Sequence, residues 1–260
     1  MTQPYDEKFF TILRDGARRS ARHLLPIVFK LVKPDSVVDV GCGDGTWLSV
    51  VRELGAADIW GLDGDYVDRK TLQVPQDRFQ ALDLTMPFSL QRRFDLAISL
   101  EVGEHLPEAS AAGFVRSLVG LADIVLFSAA IPWQGGVQHI NEQWQDYWAR
   151  LFELNGYVAL DSVREGIWEN DEVHWWYSQN TLLYAKREVV EARQELKAEF
   201  DKTARGRLAI VHPKKYLATA DLGQVPLRKV AAAFPAMLAT AVQRALNRSV
   251  YPKGGRGGRS

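Results

Sequence analysis

The chain has 260 residues, 47% of them hydrophobic and 25% charged, enough for one sizeable core and an appendage. No run of about 18 apolar residues is present, which argues against a transmembrane helix, and the start MTQPYDEKFF is acidic and polar, unlike a secretory signal. The single cysteine, Cys42, excludes an intramolecular disulfide, and no Cys/His cluster has zinc spacing, so a cytoplasmic protein is expected.

From residue 6 to 32, apolar positions (Phe9, Phe10, Leu13, Ala17, Leu24, Leu25, Val28, Leu31) alternate with Arg14, Arg18, Arg19 and Arg22 at helical spacing. This N-terminal segment, residues 1–34, is expected to cover one edge of a sheet, with a share in a substrate lid as the lesser option. The stretch Val37 to Leu48, VVDVGCGDGTWL, follows. It reads as a buried strand, a tight turn and a helix whose N-terminus faces the turn. Its glycines, Gly41, Gly43 and Gly45, let a ligand approach the backbone and permit positive φ. A dinucleotide fingerprint would need a third glycine where Thr46 stands.

Asp58 to Asp63 reads as the second strand, ending in an acid where ligands sit in open α/β sheets. A carboxylate there can take both hydroxyls of a ribose. Asp63 is the candidate, Asp65 the near alternative across Gly64, and a plain helix cap is the bland reading. Arg78 to Leu82 is the third strand, followed by Asp83-Leu84. Phe94 to Leu100 is the fourth, running into Glu101-Val102-Gly103-Glu104-His105-Leu106.

Ala109 to Val119 is helical in composition, Asp123 to Ser128 is a fifth strand, and residues 129–138 form a loop broken by Pro132, Gly135 and Gly136. A helix is expected from His139 through Leu154, stopped by Asn155-Gly156. Tyr157 to Val163 and Thr181 to Ala185 close the sheet. Between them lies REGIWENDEVHWWYSQN, where aromatics are mixed with acids. Such mixtures bind sugars or amines, the ring covering an apolar face or a cation and the acid taking hydroxyls or charge. An aromatic plug under a long hairpin is the alternative.

Asp39-x-Gly-x-Gly-x-Gly resembles the nucleotide loop of class I S-adenosylmethionine (SAM) methyltransferases, and Leu100 to Leu106 resembles the LEV-x-EHL signature of members acting on small molecules. The Asp/Asn-Pro-Pro-aromatic run of nucleic-acid amino methyltransferases is missing at Ser99 to Val102, so no nucleic-acid partner is expected. The block GGVQHINEQW, YWARLFELNGY and WWYSQNTLLY resembles methyltransferases of bacterial glycan and cell-envelope biosynthesis. The resemblance implies a Rossmann-like, doubly wound, mostly parallel seven-stranded α/β sheet with an antiparallel last strand, over residues 35–186. It also implies SAM as cofactor, with S-adenosylhomocysteine (SAH) as product. The cofactor candidates are Asp39, Gly41, Gly43, Gly45, Asp63, Asp83, Leu84 and Glu101, with Asp83-Leu84 at the adenine.

Methyl transfer needs alignment and, for a hydroxyl acceptor, a base. The candidate bases are His139, His105 and His174, because an imidazole takes a proton near neutral pH. His139 is favoured by its place after the glycine loop. Glu104, Trp133, Glu142, Trp168, Trp175 and Tyr177 are the candidate acceptor contacts. No spacing compels a metal site. The expected reaction is O-methylation of a sugar or related cell-envelope metabolite. The alternatives are N-methylation of an amine held by the acids of residues 169–172, and a SAM-binding regulator or scaffold without turnover.

The zero net charge hides an asymmetry: residues 1–186 hold 17 Lys+Arg against 26 Asp+Glu, and residues 187–260 hold 15 against 6. An acidic body is thus followed by a basic helical extension over residues 187–253 and a Gly/Arg tail over 254–260. In the extension, Glu188 to Lys202 alternates charge at helical spacing and reads as an exposed helix, and Val211-His212-Pro213 reads as extended. Leu227 to Leu246 forms one apolar helical face, which Pro235 kinks or restarts. That face suits an anionic inner-membrane surface carrying lipid-linked glycans, a second subunit, or the chain's own domain.

Overall fold

The computed structural model describes residues 7–220 and the positions 231, 234, 235, 238 and 239. In chain order the elements are α1 (Glu7–Val32), β1 (Ser36–Val40), α2 (Thr46–Glu53), β2 (Asp58–Asp63), β3 (Phe79–Ala81) and β4 (Leu96–Leu100). Then come α3 (Glu108–Leu121), β5 (Ile124–Ser128), α4 (Gln145–Glu153), β6 (Tyr157–Leu160), α5 (Arg164–Ile167), α6 (Trp175–Asn180) and β7 (Leu182–Lys186). Beyond the sheet lie α7 (Arg187–Ala192), α8 (Gln194–Lys202) and α9 (Pro213–Ala220). The seven strands lie in the order β3-β2-β1-β4-β5-β7-β6. β7 runs antiparallel to both neighbours, and the other pairings are parallel.

Side chains of a strand alternate between faces, and this chain fills both faces with apolar groups. Val37, Ile59, Leu96, Ile98, Leu126 and Leu183 meet Leu24, Leu25 and Val28 of α1 and Leu48 and Val51 of α2. Their neighbours Val38, Leu62, Ala97, Val125, Phe127 and Tyr184 meet Phe114, Val115 and Leu118 of α3 and Trp148 and Phe152 of α4. Burial on both sides is why the central strands read as continuous apolar runs and why the sheet is mostly parallel. Phe152 stacks on Tyr184 with ring centroids 3.9 Å apart. The parallel order reverses between β1 and β4, so a crevice opens at the carboxyl ends of those strands.

The expected N-terminal helical segment is one helix, Glu7–Val32, despite Pro26, the carbonyls freed at its C-terminus being taken by the Arg193 guanidinium at Leu31 and Val32. Three local expectations change. The segment 139–144 is not helical: α4 starts at Gln145, after a β-region Trp144. Its amides are already engaged, those of Ile140 and Asn141 by the Glu104 carbonyl and that of Gln143 by the Ala130 carbonyl. The aromatic stretch between β6 and β7 is not an open hairpin linker but carries α5 and α6. Glu188 to Lys202 is split into α7 and α8 by Arg193, which is extended at φ −119°.

The chain divides into two compact units, residues 1–212 and 213–260. Residues 187–212 thus stay with the sheet. Buried Arg164 donates to the Leu208 carbonyl, and the His212 amide donates to Gln179. The second unit opens with α9, Pro213 standing at its first turn where its missing N–H is harmless. The expected apolar face from Leu227 to Leu246, its Pro235 kink and the 254–260 tail lie outside the described residues, save helical positions 231, 234, 235, 238 and 239. Among the described residues no helix is long and apolar enough to cross a membrane.

Candidate active site

The turn after β1 and the end of β2 are built as one piece. Gly41 and Gly43 have φ of +84° and +54°, in the left-handed region. A Cβ on Gly41 would fall 2.3 Å from Val102, so that glycine is required twice over. A Cβ on Gly43 would meet nothing within 4 Å; it would project into open space at the turn. Asp63 is 3% exposed and accepts from the amides of Gly43 at 2.7 Å and Gly64 at 2.6 Å, and from the Tyr66 hydroxyl. These bonds to a carboxylate fix the turn. Asp65, the alternative acid, is solvent-exposed and paired with Arg69. Asp39 is buried behind the turn; lack of solvent and the nearby Asp63 charge push it up to about 8. Arg14 of α1 reaches Asp44 in the turn at 2.5 Å, and Asp44 in turn holds the Thr46 amide and hydroxyl.

A cleft of about 790 Å³ opens in front of this piece. Gly41, Asp63 and Tyr66 form one end, Asp83, Leu84 and Thr85 a side wall, and Glu101, Val102, His105 and Gln138 the far wall. The size suits a ligand with a nucleoside and an attached side chain. Asp83 accepts from the Thr85 amide and hydroxyl, which hold its carboxyl below the ordinary range. Of the cofactor candidates, Gly41, Asp63, Asp83, Leu84 and Glu101 line the cleft directly, and Asp39, Gly43 and Gly45 support it from the turn.

The far wall carries the titratable groups. Glu101 has φ of +57°, a conformation rare for a side-chain-bearing residue. Its carboxylate accepts from Gln134 at 2.9 Å and Asn180 at 3.0 Å. Burial raises Glu101, and these donors counter the rise. Glu104 is fully buried, and its carboxyl is raised by desolvation first and the adjoining Glu101 charge second. His105 is lowered by burial and by His139, whose ring meets it edge-on with centroids 4.9 Å apart. Glu142 collects the Trp133 and Gly135 amides at 2.7 Å each and His139 Nδ1 at 3.1 Å. The other ring nitrogen, Nε2, lies over Gly136, where a Cβ would stand 2.1 Å from it.

His105, His139, Glu104 and Glu142 therefore come together, and Trp133 is tied to them through Glu142 while its indole is exposed. The remaining candidates do not join them. His174 packs flat on Trp176, centroids 4.1 Å apart, with its Nε2 against Gly16 of α1, and burial lowers its pKa. Tyr177 is buried edge-on against Trp47, Trp168 lies against His212, and Trp175 sits against Trp176. None of these rings lines the cleft. Of the acids in residues 169–172, Glu172 pairs with Arg19 on α1, 3.3 Å away. Tyr66, Arg14, Gln134 and Asn180 escaped the sequence reading. Only Tyr66 left a signal, standing three residues past the acid of β2.

A family model described as a methyltransferase domain matches residues 12–180. No curated protein matches the chain. Among solved structures, an O-methyltransferase family protein from Burkholderia thailandensis is 16% identical with a TM-score of 0.50, covering 70% of this chain and 60% of that one. Magnesium protoporphyrin IX methyltransferase from Synechocystis PCC 6803, with bound SAM, is 18% identical with a TM-score of 0.48, covering 70% and 85%. Human N-acetylserotonin methyltransferase in complex with SAM is 16% identical with a TM-score of 0.46, covering 71% and 60%. At such identities the likeness bears on the fold alone.

Proposed function

This chain belongs to the methyltransferase-domain family, and from that premise we propose that it transfers a methyl group from SAM to a hydroxyl of a small polar acceptor, a sugar or related cell-envelope metabolite. SAM is the cofactor, and the cleft has the donors and the room it needs. Asp63 stands where it would take the ribose hydroxyls once Tyr66 gives way, and Asp83 and Leu84 stand where they would flank the adenine. When bound, SAM supplies the methyl group on a sulfonium centre, so the chain is left to bind, align and move one proton.

The observation that carries the oxygen reading is the Glu/His cluster behind the far wall of that same cleft, reached through His105, its one member that lines it. Glu142 holds His139 at Nδ1 and so orients the ring. Nε2, which rests against Gly136, is the atom left to take the proton of an acceptor hydroxyl. Trp133, exposed and held at its amide by Glu142, offers an apolar platform for a sugar face. The amine alternative drew on the acids of residues 169–172, and its one ion pair of known partner points to α1 and not to the cleft.

The test is mass spectrometry after incubation with methyl-labelled SAM and an extract fractionated into sugars, lipids and amines. Label on oxygen in a sugar or glycolipid fraction is the expected result. Label on nitrogen overturns the oxygen reading, and SAM binding without label in any fraction favours a non-catalytic binder.

A further inference from the structure

The far wall of the cleft holds two adjoining buried carboxyl groups, and one of them lacks donors. Glu104 has no exposed surface, and neither carboxylate oxygen has a hydrogen-bond partner among the described residues. A buried carboxylate without donors costs several kcal/mol, about as much as any single defect a small protein tolerates. The Glu101 carboxylate beside it adds like charge. One ligand atom each from Glu104, His105 and His139 lies within 4.8 Å of the others. Three atoms spaced evenly round a first-row metal ion, each at about 2.1 Å, are about 3.6 Å apart. The three groups would draw together by up to about 1 Å to share an ion.

We propose that Glu104, His105 and His139 hold a divalent transition-metal ion at the far wall of the cleft, with Glu101 as the neighbouring carboxylate able to complete the set. Two imidazoles with carboxylates suit Mn²⁺, Fe²⁺, Co²⁺ or Zn²⁺ over Mg²⁺ and Ca²⁺, which prefer oxygen alone. Glu142 is the outer partner that fixes the His139 ring, an arrangement usual for metal-ligating histidines. His105 lines the cleft, so coordination positions not taken by the protein open onto the space where an acceptor enters. The sequence spacing compels no such site. The fold makes it by folding the 139–144 segment back onto Glu104, whose carbonyl takes two of its amides.

The ion's role rests on the hydroxyl reading above. When bound, the ion would make a coordinated acceptor hydroxyl more acidic, and Nε2 of His139, the base of the ion-free site, would then serve as its ligand. The site itself does not rest on that reading.

The full-length chain, stripped with chelator, is titrated with Co²⁺ and followed by visible absorption and by metal analysis after dialysis. The expected result is one Co²⁺ per chain, displaced by Mn²⁺ or Zn²⁺. Glu104→Gln and His105→Ala should each weaken binding at least about 10-fold, and Glu142→Gln by roughly 10–100-fold. Glu104→Gln keeps the size of the buried side chain and removes its acid, so its metal-free melting temperature should match or exceed that of the metal-free wild type, which guards against misfolding as the cause. SAM affinity is measured on the same samples. A wild type that binds SAM but no stoichiometric Co²⁺ overturns the ion site, as does Co²⁺ binding undiminished in Glu104→Gln and His105→Ala. A wild type that binds Co²⁺ but no SAM leaves the ion site standing and overturns the methyltransferase reading.

Discussion

Replacing Asp63 with alanine tests the cofactor end of the cleft. Its carboxylate makes charge-assisted bonds to the Gly43 and Gly64 amides, 2.7 and 2.6 Å long, and holds the Tyr66 hydroxyl as well. On the proposed binding mode the tyrosine gives way to the ribose, so the substitution removes the ribose contact and loosens the turn that frames it. Hydrogen bonds to charged groups contribute about 1.5–3 kcal/mol each. Counting one such bond to the cofactor, SAM affinity should fall by roughly 10–150-fold. Titration calorimetry on wild type, Asp63→Ala and Asp65→Ala reads the difference. Asp65→Ala tests the rival acid, because Asp65 also lines the cleft but is 92% exposed at its side chain and pairs with Arg69. A folded Asp63→Ala that binds SAM as tightly as wild type refutes the assignment of Asp63 to the ribose.

Tyr66→Phe frees one oxygen of Asp63 before the cofactor arrives, so SAM should bind roughly 2–10-fold more tightly by calorimetry; weaker binding means that the hydroxyl contacts the ligand. His139→Ala should lower turnover by about 10²–10⁴-fold with SAM affinity unchanged, in a labelled-methyl assay. Equal loss in His174→Ala, whose ring lies on Gly16 away from the cleft, contradicts that placement. Asp39, pushed up from 3.8 to about 8, keeps its proton in the folded chain where the unfolded chain has released it. Wild-type stability therefore falls as pH rises from about 4 to about 8, by an amount on the order of a few kcal/mol. Asp39→Asn should flatten that fall in urea denaturation across the window, and an unchanged pH slope excludes the buried proton.

What the sequence disclosed follows from range. The β-branched strands, the glycine turn and the acid at the end of β2 act within a few residues, so periodicity and spacing expose them. The start of α4 was misjudged because His139 to Trp144 has helical composition while its backbone is claimed by Glu104 and Ala130, far away in sequence. The aromatic stretch was ambiguous for a related reason: nothing local says whether Tyr177 faces a ligand or Trp47. The Glu104–His105–His139 cluster and the Arg14–Asp44 tie join positions about thirty residues apart through the fold, beyond what spacing can reveal. His105 and Glu104 were still visible as candidates because they sit in a signature segment after a strand.

A crystal structure of the chain with SAH tests the account most directly. The ribose should lie on Asp63 with Tyr66 displaced, the adenine between Asp83 and Leu84, and the sulfur turned toward His105 and His139. SAH found outside this cleft, or within it with the sulfur turned away from the two histidines, contradicts the account.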